Sequence, residues 1–207
     1  MSDRAKFWMN LLAVLAIAVV VARMTVIDVV TIDNNSMAPT LVYGDEVLVW
    51  RGAAADRVDV MVCEHPSRDG QLVFGRVVGM PGEEVRLDDN GRLVLGELTV
   101  AATGAGTLRF YDVTRKKQFH MRRVEADFGA RRTSVYVIEK DQTFRLRPYT
   151  TNTGLYLLGD NRSEIHFDSR AFGQVQPEKC IGQIFARWKP APPTGDDVDN
   201  GYLDLIR

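Results

Sequence analysis

Beyond its first two dozen residues the chain is divided into short apolar runs: Thr25 to Ile32, Glu46 to Trp50, Val58 to Cys63, Leu72 to Val78, Glu84 to Leu87 and Leu93 to Leu95. Turn residues separate them, at Tyr43-Gly44-Asp45, Arg68-Asp69-Gly70, Met80-Pro81-Gly82 and Asp89-Asn90-Gly91. Valine-rich runs of this length, with few stretches of helical periodicity, predict a mostly β, antiparallel domain. Asn90-Gly91 lies between two such runs and predicts a hairpin, because a type I′ turn needs positive φ at both central residues.

Residues 101–149 differ in texture. Basic doublets at Lys116-Lys117, Arg122-Arg123 and Arg131-Arg132 alternate with Phe110, Tyr111, Phe119 and the strand-like Thr133 to Glu139, which predicts a β-rich inserted lobe with a solvated charged face. Contact of that face with anionic lipid is the alternative. The core then spans 25–100 and 150–189, resuming at Gly154 to Leu158 and Ile181 to Trp188. Residues 190–207, with Pro190, Pro192, Pro193 and the acidic Asp196, Asp197 and Asp199, are expected to form a loose tail.

With 26 Lys and Arg against 27 Asp and Glu, the 207-residue chain offers no electrostatic case for a nucleic-acid partner. Cys63 and Cys180 have no metal-ligand spacing, so no metal site is expected; two inert thiols are the plainer reading and a bridge the alternative. Nothing in the sequence calls for a cofactor.

Residues 1–6 carry Arg4 and Lys6 ahead of a nearly unbroken apolar run from Phe7 to Ala22. As a helix that run reaches roughly 24 Å, slightly short of a hydrocarbon core, and tilt or the flanking Met24, Val26 and Ile27 make up the difference. The expectation is a transmembrane anchor over 7–24 with its N-terminus in the cytoplasm and the remaining chain on the extracytoplasmic side of the inner membrane. A signal peptide cut after Val20-Val21-Ala22 is the alternative.

Ser36-Met37-Ala38-Pro39-Thr40-Leu41 follows soon after this run. A serine hydroxyl is a poor nucleophile unless a base and an oxyanion site lie beside it, so alone the box says little. Downstream stand Gly44-Asp45, Val58 to Pro66, Arg76-Val77-Val78-Gly79-Met80-Pro81-Gly82-Glu83, Gly159-Asp160-Asn161-Arg162, Asp168-Ser169-Arg170, Phe172-Gly173 and Ile181-Gly182-Gln183-Ile184. In this order the chain resembles the type I signal peptidases (peptidase S26 family) over the apolar segment and the whole core.

The resemblance implies a serine endopeptidase that cleaves signal peptides from exported preproteins, with membrane lipid as its other contact. Ser36 matches the nucleophile and its N–H one oxyanion donor. Asn34 stands where the family often has a hydroxyl donor, with turn hydrogen bonds as the competing role. Arg76 with Asp160, and Asp168 with Arg170, match braces between the boxes.

Two departures bear on activity. Gly75 occupies the position of the family's lysine base, and glycine carries no proton. Loss of the base from a serine protease lowers turnover by up to about 10⁶. The closing box is also one residue longer than usual, which sets His166 where the lysine-orienting serine stands. Beside the space that Gly75 leaves empty, the His166 imidazole is the candidate general base, with Glu164, Asp160 or Asp168 to orient it. His65 and His120 are expected at the surface. The competing class is a catalytically inactive relative that clasps an exported or pilus-type partner without cutting it, favoured by Gly75 as Ser36 favours the enzyme. Processing of one dedicated substrate is not separable from general cleavage.

Overall fold

A computed structural model describes residues 3–140, 144–192 and 201–206. A helix α1 (Asp3–Val26) leads into β1 (Ile27–Thr31), β2 (Glu46–Arg51), β3 (Val60–Glu64), β4 (Leu72–Gly79), β5 (Glu84–Leu87), β6 (Leu93–Leu95) and β7 (Leu98–Thr99). Three strands of the inserted region follow, β8 (Ala101–Asp112), β9 (Lys117–Asp127) and β10 (Arg132–Ile138). The chain returns through β11 (Tyr149–Thr150), β12 (Tyr156–Leu158), the one-turn helix α2 (Ser169–Phe172), β13 (Cys180–Lys189) and β14 (Asp204–Leu205). The apolar runs thus lie in or overlap the strands, and the mostly β, antiparallel expectation holds.

The main sheet runs β1-β2-β13-β3-β4-β12 with β14 on β13; smaller sheets run β10-β9-β8 and β11-β5-β6-β7. Alternation sets the layers. Val60 and Val62 of β3, with Phe74, pack on Ile32, Met37 and Leu41, while Met61, Cys63, Val73 and Val77 face Leu155, Leu157 and Val175 on the other side. Central strands covered on both faces read as continuous apolar runs, which is why β3 and β4 are valine-rich throughout. The inserted sheet packs on the core: Ala126 and Val135 share a cluster with Val78, Val85 and Leu158, and Phe110 and Met121 pack on Ala38 and Val42. Its basic doublets are exposed, with Arg131 reaching Asp59 and Arg132 reaching Asp127.

Four expectations change. The β5–β6 hairpin closes through the longer stretch 88–92, where the Asp88 N–H donates to the Arg92 carbonyl; Gly91 has a φ of 74° and Asn90 keeps a negative φ, so the turn is not type I′. Cys63 and Cys180 form a disulfide, because antiparallel pairing of β3 and β13 sets these residues opposite each other. Part of the supposed tail is ordered: Asp204 and Leu205 pair with Arg187 and Ala186, and the Arg187 Nη1 binds Asp204 at 3.1 Å. The acidic cluster at Asp196, Asp197 and Asp199 lies outside the described residues. The fourth concerns the anchor. α1 forms, but among the described residues no helix is long and apolar enough to cross a membrane. Its described apolar side chains, Phe7, Trp8, Leu12, Leu15, Ile17 and Val20 among them, are exposed.

Candidate functional site

Ser36 sits on a loop pinched shut at its neck, where the Ile32 N–H donates to the Asp45 carbonyl and the Gly44 N–H to the Ile32 carbonyl, each at 2.8 Å. Asp45 is fully buried inside this neck; it accepts from the Val42 and Ala191 N–H groups and forms an ion pair with Arg187. Met37 and Leu41 anchor the loop in the core, and the Asn35 side chain ties it to the inserted sheet by donating to Asp112 at 2.9 Å.

The closing box clasps this loop. The Asn161 N–H donates to the Ser36 carbonyl at 2.9 Å, and Thr40 Oγ1 donates to Asp160. Gly159 lies so close that a Cβ there would fall 2.3 Å from the Ser36 carbonyl oxygen, so only glycine permits the approach. The Arg76 guanidinium forks onto both Asp160 oxygens at 2.8 and 2.7 Å and donates its third nitrogen to the Val58 carbonyl. Both partners are buried, 1% and 0% exposed. Asp168 caps α2, accepts from the Gly159 N–H and pairs with Arg170, which donates in turn to the Arg162 and Glu164 carbonyls. The four charged residues that the resemblance marks as braces therefore sit on the clasp.

The serine itself is fully buried, and its hydroxyl donates to the Phe74 carbonyl at 3.3 Å. The residue after Phe74 is Gly75, so β4 brings the position that the resemblance gives to the base beside Ser36. That position is not empty. A Cβ on Gly75 would lie 2.9 Å from the Leu157 Cβ of the adjoining strand, so β12 has closed over the place where a side chain would start. Of the two groups expected to serve the oxyanion, the Ser36 N–H is taken, donating to Asn34 Oδ1 at 3.0 Å, while Asn34 Nδ2 gives one of its two hydrogens to Asp33 at 2.8 Å. Asn34 here makes the turn hydrogen bonds that competed with its oxyanion role.

The structure does not join His166 to Ser36. His166 is exposed at the tip of the closing box while Ser36 is buried, and no hydrogen bond links them. Its three suggested orienting carboxylates are engaged elsewhere, Asp160 by Arg76, Asp168 by Arg170 and Glu164 by Arg115. His120 is exposed. His65 is half-buried against the Phe172 ring, and burial, then Arg68, lowers its pKa.

A cleft of about 260 Å³ beside the loop is lined by Asn34, Asn35, Asp112, Arg115, Glu164 and Phe167; Ser36 does not line it. Sequence reasoning missed Asp112 and Arg115 because they lie at the end of β8 and in the β8–β9 turn, which only tertiary packing brings to the serine loop. Among the described residues, no group of three carboxylate, histidine or cysteine side chains could hold a metal.

A buried serine, a doubly braced closing box and a mostly antiparallel core define a serine-peptidase frame. Residues 5–189 match the family described as signal peptidase, peptidase S26, and the chain belongs to that family. It is 31% identical to signal peptidase I of Pseudomonas aeruginosa, over 84% of this chain and 69% of that protein. It is 28% identical to signal peptidase I of Streptococcus pneumoniae, over 80% and 84%, and 25% identical to signal peptidase IB of Staphylococcus aureus, over 88% of each.

Proposed function

We propose that this chain is a membrane-anchored serine endopeptidase that removes signal peptides from exported preproteins, with Ser36 as nucleophile and no lysine base. The observation that supports it is the contact of the Ser36 hydroxyl with the Phe74 carbonyl, which puts the serine beside Gly75 under a closing box built to hold it. In the reaction Oγ attacks the scissile carbonyl, its proton passes to a base, and the oxyanion takes the Ser36 N–H and Asn34 Nδ2. The tetrahedral intermediate then collapses with cleavage of the C–N bond, the base handing its proton to the departing amine, and the acyl-enzyme is hydrolysed by water activated by the same base. His166 fills the base role in this reading, and substrate binding has to draw the exposed tip inward and turn Asn34 off the Ser36 N–H.

The anchoring part rests on α1. A helix whose apolar side chains are exposed needs a cover, and lipid provides one. The Cys63–Cys180 disulfide suits an oxidising, extracytoplasmic location for the β core. Protease protection of the full chain in spheroplasts tests this; a core shielded from added protease contradicts the orientation.

Cleavage of a signal-peptide substrate by the wild type, Ser36→Ala and His166→Ala tests the chemistry. Turnover in the wild type that Ser36→Ala abolishes is expected. If His166→Ala cuts as fast as the wild type, His166 is not the base. A second reading, a relative that holds an exported segment without cutting it, draws on the Leu157 backing of Gly75 and on the internal use of the Ser36 N–H. Binding of the substrate with no wild-type turnover would select it.

A further inference from the structure

Arg162, the last residue of the Gly159-Asp160-Asn161-Arg162 box, takes no part in the clasp through its side chain. Its backbone N–H donates to the Tyr136 carbonyl, but its guanidinium has no described hydrogen bond or ion pair, and Nη1 is sealed from solvent with no partner. The residue is 6% exposed. The nearby carboxylates are engaged, Asp160 by Arg76 and Thr40, Asp168 by Arg170. What Arg162 does meet is the Phe144 ring, 5.4 Å from its guanidinium carbon, with Arg170 against the same ring at 5.3 Å. Burial, followed by repulsion from Arg170, pushes the Arg162 pKa down to about 10. Asp160 and Asp168 attract this cation without bonding it; a buried cation with no ion pair of its own is costly, and the ring offsets only part of that cost.

Arg162 also lines a cleft of about 300 Å³ between the β5–β6 hairpin and the inserted sheet. The remaining wall is mostly apolar, with Leu93, Val100, Val124, Val135 and Phe144 prominent. Arg92 at the edge is already paired with Asp88, and Arg122, the third cation on the wall, is exposed to solvent. This volume is at the small end of ligand clefts, which are apolar with a few convergent polar groups.

We propose that the cleft binds a small apolar monocarboxylate, a short acyl chain whose carboxylate forks onto the Arg162 guanidinium and whose tail lies along the valines. The planar guanidinium matches a carboxylate with two parallel N–H···O bonds. A peptide fits less well, since an apolar wall cannot satisfy the N–H and C=O groups of a backbone. Ser36 does not line this cleft, and the proposal does not depend on whether the serine is active.

Hexanoate titrated into the full chain in nanodiscs, followed by calorimetry and by ligand-observed NMR, tests this. Hexanoate is expected to bind more than about tenfold tighter than hexanol, the equivalent of losing one charge-assisted hydrogen bond. Arg162→Gln should weaken hexanoate by a similar factor and Arg162→Lys by less, since it keeps the charge but loses the fork. Ala102→Phe, at an exposed position on the cleft wall, should block hexanoate while leaving Arg162 and the fold in place. The proposal fails if hexanol binds as well as hexanoate, or if neither Arg162→Gln nor Ala102→Phe changes hexanoate binding. It also fails if inorganic phosphate competes equally, because the apolar wall would then contribute nothing. Tighter binding of a short peptide with a free C-terminus would replace the acyl chain as occupant.

Discussion

The two ends of the closing box are built differently. Gly159 to Arg162 is buried, bound to the serine loop by the Asn161 N–H and by Thr40, and to β4 by the Arg76–Asp160 pair. Residues 163–167 reach the surface, where Ile165 and His166 are exposed. The frame that positions a nucleophile is thus an interior matter, held by groups that cannot be removed one at a time. The means of moving a proton, in this chain, would have to come from the rim. The first end carries residues of the family's pattern, and the second carries the proposed base.

Breaking the buried end has the largest expected effect. Asp160→Ala strands Arg76 in the interior and should lower stability by about 3–5 kcal/mol, read by thermal unfolding. Replacing both partners, Arg76→Met with Asp160→Leu, should be far milder; an equal loss would mean that the pair matters for more than its charge.

Next comes the strand beside the clasp. Gly75→Lys places a Cβ against Leu157 and should destabilise by about 1–3 kcal/mol through overpacking, without raising signal-peptide cleavage. A gain in turnover would show that β12 can withdraw and that the slot still accepts a base.

Asn34→Ala removes the acceptor for the Ser36 N–H and is expected to cost about 0.5–1.5 kcal/mol in unfolding experiments. If Asn34 also serves the oxyanion, the same variant loses about 10²–10³ in kcat, which separates the two roles.

The smallest stability effect belongs to the exposed tip. His166→Ala should stay within about 0.5 kcal/mol of the wild type, so any loss of cleavage it causes is chemical and not structural. A clear fall in melting temperature would instead place His166 in the frame.

Much of the fold was legible in the sequence because strands are local. Glu84 to Leu87 and Leu93 to Leu95 carry their own alternation and turns, and both appear as strands with those bounds. The boxes were legible too, since Ser36, Arg76, Asp160, Asp168 and Arg170 sit at fixed places in a recognisable order. What escaped depends on pairing between distant segments. Cys63 and Cys180 are separated by 117 residues, and only the register of β3 on β13 sets them opposite each other. The filled slot at Gly75 is set by how closely β12 approaches β4, which no property of Gly75 reports. The use of Asn34 as a cap on Ser36 was one of two readings of the same side chain, and geometry alone chooses between them.

The Cys63–Cys180 link encloses β4, the inserted sheet and the closing box in one covalent ring, with the serine loop outside it. A protease that nicks an exposed stretch of the inserted sheet therefore opens the ring without releasing a fragment. Such a nicked molecule would run as a single band on a gel until a reducing agent is added, and its two pieces would stay in register on the main sheet. Damage to the inserted sheet is thus converted from a loss of chain into a mere interruption of it.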